Sequence, residues 1–105
     1  MNQKEKILKR IKRKVHEIDS TARIVLYGSY ARNDYTENSD IDILILLDKG
    51  KITYSDEQRI KYPLYDIEFE TGLIISPIVL SKADWNAQHS KTPFYNNLKR
   101  EGLEL

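Results

Sequence analysis

Apolar residues recur at helical spacing near the start of the chain and predict an amphipathic helix over about 3–19. Asn2, followed three residues later by Glu5, predicts an N-terminal cap for it. Seven lysines and arginines occupy the other faces of this helix. A solvated basic face is the favoured interpretation, and contact with RNA or an acidic partner is the alternative. The apolar positions are Ile7, Leu8, Ile11, Val15 and Ile18.

Three short apolar runs predict β-strands, over 23–27 (RIVLY), 40–47 (DIDILILL) and 73–80 (LIISPIVL). Pro77 cannot donate a hydrogen bond to a neighbouring strand, so the third strand is expected at an edge of the sheet or with a bulge. Between the first two strands the pattern predicts a Gly-Ser turn, a short helix opening at 30–32 and a polar loop over 33–39.

Helices are predicted on both sides of the third strand. The first begins at Ser55 or Asp56, runs to about Glu70 and ends at Gly72. Pro63 lies inside it and predicts a kink or break near residue 62. After the strand, Ser81 caps a short helix that runs through residue 85, and a last helix opens at Thr92-Pro93 and ends before residue 102. The element order predicts one α/β (α+β) domain over 1–105, with a small mixed β-sheet flanked by helices.

Composition narrows the class of protein. The chain has 105 residues, a net charge of +1 and no cysteine, which excludes disulfides and thiolate metal sites and fits a reducing compartment. The longest apolar run has five residues, far below the roughly 20 that cross a bilayer. No signal peptide is recognisable, so we expect a cytoplasmic protein without membrane contact.

Two aspartates at the start of the second predicted strand are the strongest candidates for chemistry. Asp40 and Asp42 are two residues apart, so on a strand both carboxylates point to one face, about 6.6 Å apart along the chain. Like charges on an otherwise apolar strand are costly unless something neutralises them. A divalent cation such as Mg²⁺, which binds a few carboxylate oxygens together with substrate phosphates, would do so.

The turn after the first predicted strand is a candidate phosphate site. Gly28 lets the backbone turn tightly and approach a ligand closely. Ser29 adds a hydroxyl donor, and the helix that follows would present free N–H groups. Each motif alone is weak evidence. The combination of strand, Gly-Ser, short helix, polar loop and Ser-Asp-x-Asp on an apolar strand is far more specific, and predicts a site for a metal-bound nucleotide.

This combination resembles the signature of the DNA polymerase beta-like nucleotidyltransferase superfamily. The closest resemblance is to the minimal nucleotidyltransferases (MNT), small single-domain prokaryotic proteins. The motif covers residues 24–47, and the first helix and the tail from Thr92 onward also resemble that family. The resemblance implies the nucleotidyltransferase fold, with ATP as substrate and Mg²⁺ as cofactor. It implies that Gly28 and Ser29 hold the nucleotide phosphates and that Asp40 and Asp42 are the catalytic, metal-binding carboxylates.

Three positions leave alternatives open. Arg32 matches a motif arginine for which the resemblance implies contact with phosphate or support of the loop, and a salt bridge to Asp34 or Asp40 is equally expected. The family commonly has glycine where this chain has Asn33, a residue that tolerates positive φ. Many members also carry a third carboxylate on the third strand, which has no acid here, and Glu68 or Glu70 would have to replace it.

The leading hypothesis is a nucleotidyltransferase that transfers AMP from ATP to an acceptor hydroxyl. A single domain leaves no room for an acceptor-binding domain, so the acceptor is expected on another macromolecule. The resemblance implies a HEPN-domain toxin as partner and a role as antitoxin of a toxin–antitoxin pair. The alternative is a catalytically impaired nucleotide-binding module that neutralises a partner by complex formation. RNA binding through the basic helix is less favoured, and the oligomeric state stays open.

The remaining candidates favour structural roles. Trp85 and Phe94 are expected to pack in the core or an interface rather than to stack on bases. Neither His16 nor His89 has a second histidine or a cysteine nearby, so neither is expected to bind zinc. Some of the seven tyrosines are candidates for a partner surface.

Overall fold

A computed structural model of the chain describes residues 2–88 and 91–105. Five helices and four strands account for most of this part of the chain. They are α1 Gln3–Ile18, β1 Arg23–Tyr27, α2 Gly28–Arg32, β2 Ile41–Leu47, α3 Tyr54–Thr71, β3 Ile75–Ser81, α4 Lys82–Ala87, α5 Pro93–Glu101 and β4 Leu103–Glu104.

The strands form one mixed sheet in the order β3-β2-β1-β4. β2 is parallel to β3, whereas β1 is antiparallel to both β2 and β4. This confirms the predicted mixed α+β class. β3 lies at an edge of the sheet, as Pro77 predicts, because an edge strand needs hydrogen-bond donors on one side only. β4 was not predicted from the sequence, since two residues carry no pattern, and its pairing with β1 supplies its backbone partners.

The central strand β2 separates two hydrophobic clusters. Alternate side chains of β2 point to opposite faces of the sheet. One set packs with α1 and α3, and the other packs with α4 and α5. The first set is Ile41, Ile43, Ile45 and Leu47, and the second is Leu44 and Leu46. Asp42 alternates with the first set, so its side chain projects from the face that α4 and α5 cover.

Helix α3 continues through Pro63, so the predicted break at residue 62 is wrong, and a kink there stays a prediction. An internal proline costs a helix about 3 kcal/mol or more. Ile60, Leu64 and Ile67 are all at most 1 % exposed on the inner face of α3. Full burial of each such side chain contributes about 1.5–3 kcal/mol, so their packing outweighs the cost of the proline.

The predicted helix caps are confirmed at both ends of the chain. Asn2 Oδ1 accepts a hydrogen bond from the Glu5 N–H at 2.8 Å, and Ser81 and Thr92 cap α4 and α5 in the same way. Gly72 ends α3 in the left-handed region with φ 75°. These contacts satisfy backbone donors and acceptors that a helix leaves free at its ends.

The aromatic residues that follow β3 pack in the core, as predicted. Trp85 is buried, and its ring lies 5.7 Å from that of Phe94 in an edge-to-face arrangement. His16 Nε2 lies 2.9 Å from the carbonyl oxygen of Ala22, which gives it a structural role. His89 lies outside the described residues. In the described part of the chain, no helix has the length and apolar character needed to cross a membrane.

Candidate active site

The sheet places Asp42 between two neighbouring strands. Asp42 is paired with Tyr27, the last residue of β1, and with Ser76 on β3. Residues paired across adjacent strands project from the same face of a sheet. The end of β1, the start of β2 and the start of β3 therefore meet around one carboxylate.

The Gly-Ser turn lies directly against this carboxylate. Gly28 has φ +72°, and a Cβ atom on it would lie 2.4 Å from Asp42 Oδ2. A side chain at this position would meet both an unfavourable backbone conformation and the carboxylate oxygen. Only glycine allows the turn to approach Asp42 this closely. Ser29 follows in the first turn of α2 and is half-buried.

Asp40 lies one residue before β2, so the strand begins one residue later than predicted. Ser76 Oγ donates a hydrogen bond to Asp40 Oδ2 at 3.2 Å. Because Ser76 is also the cross-strand neighbour of Asp42, it connects the two aspartates. Asp40 is exposed and Asp42 is half-buried, which leaves carboxylate oxygens open to a ligand from the solvent side.

The electrostatics of the pair favour a cation. Burial raises the pKa of Asp42, and the nearby charge of Asp40 raises it further, while Arg32 lowers it. Among residues 2–88 and 91–105, no lysine or arginine forms an ion pair with Asp40 or Asp42. A divalent cation would remove the repulsion between the two carboxylates, and oxygen donors of this kind suit Mg²⁺.

Tyr27 lines the same face beside Asp42. Burial and the charge of Asp42 raise the pKa of the Tyr27 hydroxyl to about 12, so this side chain stays neutral at physiological pH. Its ring packs edge-to-face on Phe94 at 5.3 Å. Tyr27 thus links the site to the aromatic cluster under α4 and α5.

Arg32 adopts the salt-bridged alternative. Its Nε lies 3.1 Å from Asp34 Oδ2 and its Nη1 lies 3.4 Å from Glu101 Oε1. The pair with Glu101 joins α2 to the end of α5. Asp40, the other partner considered from the sequence, is not in ion-pair contact with it among the described residues. The charge of Arg32 also reaches Asp42, and its contact with phosphate stays a prediction.

The loop between α2 and β2 is held in place by local contacts. Asn33 adopts φ 63°, the left-handed conformation that was expected where the family has glycine. Tyr35 stacks on the buried Tyr30 with ring centroids 4.1 Å apart. Ser39 Oγ accepts a hydrogen bond from the Thr36 N–H at 2.9 Å. These contacts fix the conformation of the loop that leads to Asp40.

Among the described residues, no third carboxylate joins Asp40 and Asp42. Glu70 forms an ion pair with Arg10 of α1, and Glu68 Oε2 accepts a hydrogen bond from the Ile75 N–H at 2.6 Å. Both are thus engaged elsewhere. Within 2–88 and 91–105 there is no cluster of three or more acidic, histidine or cysteine side chains placed to hold a metal ion. The β3 residue beside Asp42 is Ser76.

Ser76 and Tyr27 are the site residues that sequence reasoning missed. Ser76 is the only polar side chain among the strand residues 73–80, which was the available signal. Its position beside Asp42 follows from the parallel register of β2 and β3, which the sequence pattern does not specify.

Comparison with known proteins agrees with this geometry. The family described as nucleotidyltransferase domain matches residues 5–92. A Methanocaldococcus jannaschii protein named "putative protein adenylyltransferase" is 35% identical over 101 residues, covering 94% of this chain and 95% of that protein. A second M. jannaschii protein with the same description is 38% identical over 86 residues, covering 79% of this chain and 76% of that protein.

Solved structures show the same fold. A crystal structure titled as a "putative nucleotidyltransferase" superposes with a TM-score of 0.56 at 25% identity, covering 94% of this chain and 97% of that one. A second, from Sulfolobus solfataricus, has a TM-score of 0.55 at 22% identity and covers 96% and 80% of the two chains. The second likeness supports the fold alone.

Proposed function

This chain belongs to the nucleotidyltransferase family, and we propose that it transfers AMP from ATP, with Mg²⁺, to a hydroxyl group on a partner protein. The contact of the Gly28 backbone with the Asp42 carboxylate carries the proposal. It brings a turn suited to phosphate binding against a carboxylate pair suited to a cation. A metal-bound nucleotide requires both at one place.

Each site residue has a defined task in this reaction. Asp40 and Asp42 would hold the cation, which would supply positive charge to offset that of the triphosphate. The acceptor oxygen would form a bond to the α-phosphorus, the bond to pyrophosphate would break, and the hydroxyl proton would pass to solvent. Gly28 and Ser29 would hold the phosphates through backbone N–H groups and the serine hydroxyl. Ser76 orients Asp40 through its hydrogen bond.

The acceptor is proposed from the relatives and the resemblance. The M. jannaschii relatives are named as protein adenylyltransferases, which favours a protein acceptor. Resemblance to the minimal nucleotidyltransferases favours a HEPN-type toxin modified on a tyrosine hydroxyl, with this chain as its antitoxin. Incubation with ATP, Mg²⁺ and the product of the neighbouring gene should add the mass of AMP to that protein. An absent adduct would contradict the transfer, given an active partner preparation.

A second candidate function is a nucleotide-binding module that neutralises its partner by complex formation alone. The described residues favour it in one respect, because Ser76 stands beside Asp42 where a third carboxylate could lie. Calorimetry with Mg²⁺ and ATP, followed by the adduct assay, separates the two functions. Binding without transfer supports the module, and transfer excludes it.

Replacing Ser76 with aspartate is expected to tighten divalent cation binding about tenfold, because a third carboxylate would join the pair. The added charge should also lower stability in the absence of cation. Manganese titration followed by electron paramagnetic resonance measures the affinity. Ser76→Asn is the matched control, because asparagine has the same size as aspartate but no charge. Equal affinity in both variants would show that residue 76 does not face the cation.

The binding of Mg²⁺ and ATP is expected to weaken as the pH is lowered. The weakening should begin at a higher pH than at a site whose aspartates have ordinary pKa values. The reason is the raised pKa of Asp42, since protonation of its carboxylate competes with the cation. Calorimetry across the mildly acidic range measures this. In Asp42→Asn, binding should be weak and its pH dependence shifted to lower pH. An identical profile in both proteins would contradict the role of Asp42.

A further inference from the structure

The outer face of α3 carries a stripe of exposed aromatic side chains. Tyr54, Tyr62, Tyr65 and Phe69 are 73 %, 57 %, 42 % and 93 % exposed. At 3.6 residues per turn, these positions lie on one side of the helix, opposite the buried Ile60, Leu64 and Ile67. We call these four residues the aromatic stripe.

The aromatic stripe is large enough to matter for association. Aromatic side chains bury 150–250 Å² each, so the exposed parts amount to about 500 Å² in one copy. Monomeric proteins rarely leave a larger apolar patch open than a few hundred Å². Two such stripes in contact would bury about 1,000 Å², close to the lower bound for specific protein interfaces.

Two exposed side chains of opposite charge, Arg59 and Asp66, lie seven residues apart on α3. Arg59 and Lys61 lie in the first half of the helix, and Lys61 is 3.9 Å from Glu57. Residues 62–71 contain three acids and no base. Arg59 and Asp66 form no ion pair with any residue in the described ranges. An antiparallel copy of the same helix would set Arg59 of each copy against Asp66 of the other.

We propose that the chain forms a two-fold symmetric homodimer through antiparallel packing of the aromatic stripes. With the two-fold axis between Tyr62 and Tyr65, helical geometry places Tyr62 of each copy opposite Tyr65 of the other. On one flank, Arg59 then reaches Asp66 of the second copy. Dissociation in the micromolar range is expected from an interface of this size.

This arrangement leaves both candidate active sites accessible. α3 covers the face of the sheet opposite the one from which Asp42 projects. Association through α3 therefore does not occlude Gly28 or Asp42. The oligomeric state can thus be tested separately from nucleotide binding.

Sedimentation of the purified chain across the micromolar range should show a concentration-dependent species of twice the 12.3 kDa monomer mass. Phe69→Glu should raise the dissociation constant about a hundredfold, because it replaces the most exposed aromatic side chain of the stripe with a charge in both copies. Asn96→Glu, at an exposed position of α5, is the matched charge control and should leave the dimer intact. Since Phe69 is 93 % exposed, the variant should keep its thermal stability and its Mg²⁺–ATP affinity.

A charge exchange tests the antiparallel register. Arg59→Glu and Asp66→Arg should each weaken the dimer about tenfold, through two repulsive contacts, and the double variant should restore it. A wild-type chain that stays monomeric throughout would overturn the proposal, as would a dimer insensitive to Phe69→Glu. Single charge variants that are not rescued by the double would refute the register. A different protein that binds the wild-type stripe while the chain stays monomeric would also overturn it.

Discussion

Asp42→Asn is expected to reduce nucleotide transfer at least about a hundredfold while leaving the fold as stable as before or slightly more stable. The two effects have opposite signs for one reason. Burial and the charge of Asp40 raise the pKa of Asp42, so its ionised form is unfavourable in the folded protein. That same ionised carboxylate would hold the cation, whose charge stabilisation amounts to several kcal/mol, each 1.36 kcal/mol being tenfold in rate.

The adduct assay and thermal unfolding, performed on the same preparation, measure both effects. Asp48→Asn is the matched control, because Asp48 is exposed just beyond the other end of β2. It should change neither quantity appreciably. Loss of activity together with loss of stability would indicate a structural role for Asp42. Full activity in Asp42→Asn would rule out the proposed site.

Gly28→Ala is expected to lower both stability and activity. An L-residue in the left-handed region costs roughly 1–2 kcal/mol. The added Cβ would also meet Asp42 Oδ2 at 2.4 Å, and overpacking of this kind adds about 1–3 kcal/mol. Relief of the contact must displace the Asp42 carboxylate, and a misplacement of about 1 Å in a catalytic group can reduce the rate a hundredfold.

Gly72→Ala is a control that isolates the contact. Gly72 has nearly the same backbone conformation, φ +75°, but a Cβ there would meet nothing within 4 Å. Chemical denaturation should therefore show a smaller loss of stability for Gly72→Ala, with activity retained. Equal losses in the two variants would mean that the approach of Gly28 to Asp42 contributes nothing.

Much of the candidate site could be predicted from local sequence. Gly28, Ser29, Asp40 and Asp42 lie within fifteen residues, and a strand–turn–helix–loop–strand pattern of that length allows few ways to fold back. In the structure, β1 and β2 are antiparallel neighbours, and Tyr27 is paired with Asp42. The left-handed conformation of Asn33 was also predictable from local sequence, because asparagine itself tolerates positive φ.

Interactions between distant segments were not predictable. Arg32 had a local partner in Asp34 and a distant one in Glu101, and only the approach of α5 to α2 reveals the second. Pro63 was expected to kink or break α3, but the helix is continuous because its buried face outweighs the local preference of proline. Neither the partner of Glu68 nor that of Glu70 follows from spacing along α3.

Local sequence specifies most of the elements, several helix caps and the spacing of the four motif residues, because hydrophobic period, backbone preference and short loops act over a few residues. The position of Ser76 beside Asp42 and the exposure of the aromatic stripe of α3 become evident from the folded chain alone. Both depend on strand register and helix packing, which are set by contacts between residues far apart in the chain. A side chain's neighbours across a sheet, unlike its conformation within a turn, follow from the whole domain.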